Sequence, residues 1–311
     1  MKTLYVSDMD GTLLNSNTEL SAASIEALNR AIASGALFTV ATARTPATLS
    51  GLLRKVDMRL PAIVMTGATT WNPADNSYSN THHFAPETAR EVLQLYRSHR
   101  LPTFVYTLRD KMINIYHLGP LALQEKDFIV NRLHSPYKKF HLTPLQQRQL
   151  ECWQDENLPQ NIDKIWEESF LNIPPRLSDA VLFFAMQPES IGIEVAQKLH
   201  NIPHINPVYY YDTIYPGNVM IEAFPEAATK AKALRSLADT LGVDRIVAFG
   251  DNINDIPMLK MADVAVAVDN AIPEVKEIAD VVIGSNNDNA VAEYILQDHL
   301  ASAGSQQILE F

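Results

Sequence analysis

Residues 4–13 (Leu4-Tyr5-Val6-Ser7-Asp8-Met9-Asp10-Gly11-Thr12-Leu13) constrain the fold more than any other stretch of the 311-residue chain. Apolar and β-branched residues run straight into two carboxylates set two apart, then a glycine and a threonine. The first half reads as a short buried strand, and Gly11-Thr12 as the turn that ends it. Carboxylates at the mouth of a core strand are costly to bury unless a cation or hydrogen bonds compensate them. In an open α/β sheet, ligands sit just outside the carboxyl ends of the strands. Asp8 and Asp10 are therefore either a structural oddity or a chemical centre.

The rest of the chain supplies the expected sheet. Ile25, Leu28 and Ile32 recur at helical spacing, and Gly35 stops that helix. The run Leu37-Phe38-Thr39-Val40-Ala41 is too short for a helix and suits a buried strand. It ends in Thr42-Ala43-Arg44-Thr45-Pro46, with Pro46 in the first turn of the next helix. Residues 62–65 form a third buried strand, ending at Thr66-Gly67. Strand alternating with helix predicts a parallel sheet with crossover helices.

Between residues 84 and 215 the pattern changes. Residues 103–107 and 112–116 read as antiparallel strands across an Arg109-Asp110-Lys111 turn. Helices are expected at 87–99, 121–133 and 189–200, and a strand at 180–186. An inserted α+β domain accounts for this mixture. The parallel pattern then resumes with a strand at 219–223 and a helix at 228–241 stopped by Gly242. A buried strand at 246–249 runs into Gly250-Asp251-Asn252-Ile253-Asn254-Asp255, and short strands follow at 264–268 and 281–283. The expected fold class is α/β: a doubly wound parallel-sheet core from residues 1–83 and 216–300, with an inserted domain of residues 84–215. Residues 301–311 are expected to be a fraying tail.

Composition removes several function classes. A formal net charge of −11 argues against a nucleic-acid or anionic-membrane surface, and an anionic substrate would need a local metal or lysine. The single cysteine, Cys152, excludes an intrachain disulfide and a multi-cysteine zinc cluster, and reads as a small hydrophobe. No apolar run approaches the roughly 20 residues that span a bilayer. Acids at positions 8 and 10 break any signal-peptide core, so a cytoplasmic location is expected.

Three strand ends now carry polar groups: Asp8 with Asp10, Thr42, and Asp251 with Asp255. Parallel neighbours would open all three on one sheet edge and gather four carboxylates there. Like charges at such distances require a cation, and an all-oxygen ligand set favours Mg²⁺. Taken singly, Asp251 or Asp255 reads equally well as a helix N-cap. The two clusters together favour the metal site.

These residues resemble a known family. Asp8-Met9-Asp10-Gly11-Thr12-Leu13 is similar to the first motif of the haloacid dehalogenase-like hydrolases, and Gly250 to Asp255 to the fourth. Thr42 stands where the second motif places a threonine or serine. Lys230, in Ala228-Thr229-Lys230-Ala231-Lys232, resembles the third-motif lysine; by itself it reads equally as a solvated lysine like Lys232. The long gap between second and third motifs resembles the Cof-type branch, whose type II α/β cap is inserted there. The stretch from Asn270 to Lys276 also resembles that branch. The resemblance implies a Rossmann-like core and a Mg²⁺-dependent phosphatase. Asp8 would be the nucleophile that forms an aspartyl-phosphate, and Asp10 the acid and base. Mg²⁺ would be held by the Asp8 carboxylate, the Asp10 carbonyl and Asp251, with Asp255 nearby. Thr42 and Lys230 would bind the phosphoryl oxygens, and Asn254 is grouped with them as a substrate contact. Arg44 reads either as a phosphate contact or as a surface ion pair.

The chain departs from the branch at a few positions. Ala43, Ala231 and Ala290 replace customary glycines, and Thr66-Gly67 stands for the usual Asn-Gly. Alanine loses easy access to positive φ, so backbone approach to substrate is expected to differ slightly. His82-His83 is expected to be a polar hinge, not a metal site, and Tyr209-Tyr210-Tyr211 to serve core and cross-strand packing.

The expected function is hydrolysis of small phosphorylated metabolites, sugar phosphates by family resemblance, by a monomer or weak homo-oligomer. The cap would close over the site and select the leaving group. One alternative is a phosphotransferase or mutase using the same intermediate. Another is a non-catalytic phosphometabolite-binding protein, against which the Asp8–Asp10 pair argues, because binding alone does not require the Asp10 side chain.

Overall fold

The computed structural model describes residues 1–109, 111–118, 125, 176–211 and 216–307. Cys152 and, apart from Glu125, the expected helix at 121–133 lie outside the described residues. In chain order, β1 (Thr3–Ser7), α1 (Ala22–Ala33), β2 (Leu37–Val40), α2 (Pro46–Leu53), β3 (Ala62–Val64), β4 (Thr69–Asn72) and β5 (Ser77–Ser79) come first. Next come α3 (Pro86–Ser98), β6 (Thr103–Arg109), β7 (Met112–Leu118), β8 (Ala180–Pro188), α4 (Glu189–Leu199), β9 (Ile205–Tyr211) and β10 (Asn218–Pro225). The chain ends through α5 (Lys230–Leu241), β11 (Arg245–Gly250), the short α6 (Ile256–Leu259), β12 (Val264–Ala267), α7 (Pro273–Ile278), β13 (Val281–Val282) and α8 (Ala290–Gln307).

Two compact units emerge, one of residues 1–80 and 228–311, the other of residues 81–227. The first is an α/β unit around a parallel sheet in the order β13-β12-β11-β1-β2. β1 is central: Ser7 stands opposite Phe249 of β11 on one side and Val40 of β2 on the other. All five β1 residues are buried, which suits a strand covered on both faces. Ser21 caps α1 by accepting a hydrogen bond from the Ser24 amide at 2.9 Å, and α1 packs against α8.

β3 meets the expected third parallel strand only in part. A single parallel bridge between Ala41 and Ile63 joins it to the edge of the parallel sheet, while its ladder is antiparallel, with β4, which pairs with β5. The turn at residues 65–67 sends the chain straight back, so the local hairpin captures the strand.

The second unit has an antiparallel sheet in the order β7-β6-β8-β10-β9, with α3 and α4 packed on it around Phe84, Val92, Tyr96, Phe183, Val195 and Ile221. β10 corrects the expected boundary. Its apolar pattern reads as the first strand of the returning parallel half, yet Met220 stands antiparallel to Met186 of β8 and Tyr210 of β9. The units therefore divide after residues 80 and 227, not after 83 and 215. A short apolar run looks alike in a parallel core strand and in an interior antiparallel strand. Tyr209, Tyr210 and Tyr211 lie exposed on the edge strand β9, so the core-packing expectation fails for them. At the C-terminus, α8 continues through residues expected to fray, as far as Gln307. Among the described residues, no helix is long and apolar enough to cross a membrane.

Candidate active site

The site grows from the end of β1. The Asp8 amide donates to Phe249 O at 3.0 Å, the last ladder bond before the chain turns. Residues 9–14 make one wide turn, closed by Leu14 N donating to Met9 O at 2.8 Å. Gly11 sits in this turn at φ +79°, and a Cβ there would lie 2.5 Å from Asp251 Oδ2. Only glycine tolerates both the conformation and the approach. Thr12 Oγ1 donates to Asp251 Oδ1 at 2.7 Å, which ties the turn to the loop after β11. Nothing in the residue pattern assigned Thr12 a role; its only signal was a hydroxyl in the turn beside two acids.

In the loop after β11, Asn252 and not Asp251 caps the following turn. Asp255 Oδ2 accepts from the amides of Asp251 and Asn252 at 3.1 and 3.2 Å. Its other oxygen accepts from Lys230 Nζ at 2.8 Å. The capping and ionic readings of Asp255 thus hold together, and the side chain is fully buried.

Lys230 opens α5, where Thr229 Oγ1 accepts from the Lys232 amide. Lys232 is exposed, whereas Lys230 is 2% exposed and donates to Asp8 Oδ1 at 2.6 Å as well as to Asp255. A Cβ on Gly67 would lie 2.3 Å from Thr229 O, so the turn after β3 presses directly against this helix start.

Burial pushes the Asp8 carboxyl up, and the Asp255 charge adds to it; Lys230 pulls back, leaving Asp8 raised to about 8. Asp251 rises to about 6, by burial first, against the Thr12 hydrogen bond and with repulsion from Asp255. Burial opposes the charge on Lys230, but Asp255 and Asp8 outweigh it and hold the ammonium protonated. Three carboxylates around one ammonium leave two negative charges once all are ionised. One oxygen from each of Asp8, Asp251 and Asp255 lies within 4.8 Å of the others. An all-oxygen donor set short of two positive charges fits a hard divalent cation such as Mg²⁺.

The Asp10 carboxylate stands apart, which corrects the expected four-carboxylate cluster. Its side chain is 51% exposed and is held by Arg44, whose Nε and Nη2 donate to its two oxygens. Arg44 is therefore in the ion pair, one of its two readings. Thr42 follows β2 and is buried; its amide donates to Ile63 O at 2.9 Å, and its Oγ1 accepts from the Arg44 amide at 3.1 Å. Asn254 is half-buried in the turn before α6 and makes no side-chain hydrogen bond among the described residues.

The alanine departures leave no mark on the backbone, since none of Ala43, Ala231 and Ala290 has positive φ. The threonine departure does. Met65, Thr66 and Gly67 lie consecutively at φ +49°, +56° and +92°, and Thr66 N donates to Thr42 O at 3.0 Å. A β-branched residue in the left-handed region is uncommon and strained.

Comparison with known proteins agrees with this geometry. A family model described as haloacid dehalogenase-like hydrolase matches residues 5–295. The chain is 26% identical over 308 residues to the 5-amino-6-(5-phospho-D-ribitylamino)uracil phosphatase YwtE of Bacillus subtilis, covering 93% of this chain and 96% of that protein. It is 24% identical over 290 residues to the pyridoxal phosphate phosphatase YbhA of Escherichia coli, covering 93% and 95%. Among solved structures, the fold is similar to that of the subclass IIB sugar phosphatase BT4131, with a TM-score of 0.65 at 21% identity over 95% of this chain and 98% of that one.

Proposed function

Because the chain belongs to the haloacid dehalogenase-like hydrolase family, we propose that it is a Mg²⁺-dependent phosphatase of small phosphorylated metabolites, sugar phosphates foremost, acting through an aspartyl-phosphate on Asp8. The observation that carries this reading is the buried Asp8–Lys230–Asp255 arrangement with Asp251 beside it, at the end of the central strand. The relatives are named for small phosphomonoesters, which supports the substrate class.

In the first step an Asp8 oxygen attacks phosphorus, the bond to the leaving oxygen breaks, and Asp10 gives that oxygen a proton. In the second step Asp10 takes a proton from water, which attacks phosphorus; the acyl-phosphate bond breaks and the Asp8 carboxylate is restored. Lys230 neutralises charge on the nucleophile and on the phosphoryl oxygens, and Thr42 donates to those oxygens. The Asp8 and Asp251 carboxylates, with the Asp10 carbonyl and Asp255 nearby, would hold Mg²⁺, which supplies the charge that lets an anionic nucleophile meet an anionic ester. Burial and repulsion push the Asp8 carboxyl toward protonation, and a divalent cation beside it would, with Lys230, favour the ionised form that acts as nucleophile.

A chromogenic phosphate ester, assayed with Mg²⁺ and then with chelator, tests the reaction. A panel of phosphorylated metabolites ranked by kcat/KM, with and without an acceptor alcohol, tests substrate class and separates hydrolysis from phosphoryl transfer. No turnover on any ester of a broad panel would sink the reading.

A further inference from the structure

The loop after β12, residues 269–272, touches both acid-bearing loops. Asn270 Nδ2 donates to Gly11 O at 2.7 Å, and Asn270 Oδ1 accepts from the Asn286 amide at 2.9 Å. Two residues on, Ile272 N donates to Asp251 O at 3.0 Å. Asn286 is buried and sends its own Nδ2 to Leu14 O at 2.9 Å, the far side of the same turn. One short strut thus grips the carbonyl next to Asp10, the end of that turn, and the backbone of Asp251.

The chemistry of this strut is specific. An amide side chain can donate on one side and accept on the other at once, which a carboxylate or an apolar side chain cannot. Both ends of Asn270 are in use. The space it governs has no slack, because Gly11 is already too close to Asp251 for any Cβ. Release of Gly11 O would free the Gly11–Thr12 peptide, loosening both the Thr12 tie to Asp251 and the turn that carries Asp10 beside Asp8.

We propose that Asn270 is a positioning residue that fixes the turn of residues 9–14 against the loop of residues 251–255 and so sets the geometry of the cation and acid–base groups. It touches no reacting atom, and the proposal rests on the phosphatase reading above. Asn287 is a built-in control: it exchanges hydrogen bonds with Ser16, beyond the turn, at 3.0 Å each way.

The test compares Asn270→Ala, Asn270→Asp, Asn270→Ser and Asn287→Ala by steady-state kinetics, thermal melting, and calorimetric titration with Mg²⁺ in the absence of substrate. Asn270→Ala is expected to lower kcat by about tenfold or more and Mg²⁺ affinity several-fold, with KM for the ester little changed. Asn270→Asp, which sets a carboxylate against Gly11 O, should be worse, and Asn270→Ser, which keeps a donor, better. Asn287→Ala should match wild type in kcat and Mg²⁺ affinity. The proposal is overturned if Asn270→Ala keeps wild-type kcat and Mg²⁺ affinity, or if both losses merely follow a drop in melting temperature that Asn287→Ala shares. If Asn270→Ala does not fold, Asn270→Ser and Asn270→Asp decide by the same readouts. A wild-type protein inactive on every ester defeats the phosphatase reading alone, since the Mg²⁺ titrations still decide the role of Asn270.

Discussion

Arg44 holds both oxygens of Asp10, with Nε 2.7 Å from Oδ2 and Nη2 2.6 Å from Oδ1. A planar fork on a carboxylate is among the stronger ionic contacts a protein makes, and it fixes the carboxylate's orientation as well as its charge. A phosphate ester offers the same guanidinium a competing pair of oxygens. On the phosphatase reading proposed above, Arg44 would align Asp10 before the ester arrives and turn to the phosphoryl group afterwards. Arg44→Ala should raise KM for a phosphate ester by about tenfold or more, as expected for loss of a charged hydrogen bond. Arg44→Lys should restore little of it, because an ammonium has no fork. Steady-state kinetics on one ester checks this, and an unchanged KM in Arg44→Ala would leave Arg44 as an ion pair only.

Lys230 is the sole counter-charge that touches both Asp8 and Asp255 among the described residues. Its removal strands two buried carboxylates, a change that typically costs about 3–5 kcal/mol. Lys230→Met should therefore abolish turnover and lower the thermal midpoint by roughly ten degrees, at 2–4 °C per kcal/mol for a unit of this size. Melting curves at neutral pH in chelator measure the effect. A wild-type midpoint would show that the ion pairs contribute little.

The uncompensated charge around Asp8, Asp251 and Asp255 also predicts a stability response to metal. Mg²⁺ at a hundred times its Kd should stabilise the protein by about 2.7 kcal/mol, and chelator should reverse the gain. Sodium chloride at matched ionic strength should not reproduce it. Asp251→Asn should blunt the response. Equal shifts with both salts would reduce the effect to screening.

Thr66, at φ +56°, carries backbone strain that a different residue would relieve. Asn is several-fold enriched in left-handed conformations, and the mismatch for other residues is about 1–2 kcal/mol. Thr66→Asn should raise the thermal midpoint by a few degrees. If stability falls instead, the packing of the threonine methyl outweighs its backbone cost.

Asp298, held by Tyr5 and Arg245, gives a pH signature of its own. Burial alone would raise its carboxyl, but hydrogen bonds from Arg245 at 2.6 and 3.1 Å and from Tyr5 at 2.7 Å prevail and hold it below the ordinary aspartate value. A depressed folded-state value means stability that is fully present above the unfolded value, about 3.9, and lost as pH falls through the folded one. Wild type should exceed Asp298→Asn in stability at neutral pH, and the gap should close as pH drops below about 4. Denaturation at several pH values reads this directly; a gap independent of pH would point to packing alone.

The positions that meet at the parallel-sheet edge were legible because polar groups at the ends of apolar strands are anomalous unless something compensates them. Asp8, Asp251 and Asp255 stood out on that ground; so did Thr42, whose hydrogen bonds run to Ile63, Thr66 and Arg44 and not to the acids. Lys230 did not: in the local sequence it looks like Lys232, and only family resemblance distinguished them. β10 was misplaced because its burial pattern is common to two sheet types, and the partner that decides is far along the chain. The Arg44–Asp10 fork depends on two turns meeting across 34 residues, which no local pattern encodes. Asn270 was invisible as a strut, since a loop asparagine that bridges two carbonyl-bearing turns has the same sequence signature as one that faces water. Thr66 was hidden for the opposite reason: a β-branched side chain argues against the very conformation it adopts.

The parallel pairing of β1 with β11 bears on how the protein is made. The strand that carries Asp8 leaves the ribosome about 240 residues before the strand that flanks it toward Asp251. At ~5–20 residues per second, that is a wait of roughly 10–50 seconds. During it, β1 can pair with β2 but has an open edge on its other side. A nascent chain in this state offers an unpaired apolar strand to its surroundings. Translation speed and chaperone capture during that interval then bear on how much of the chain reaches the folded state.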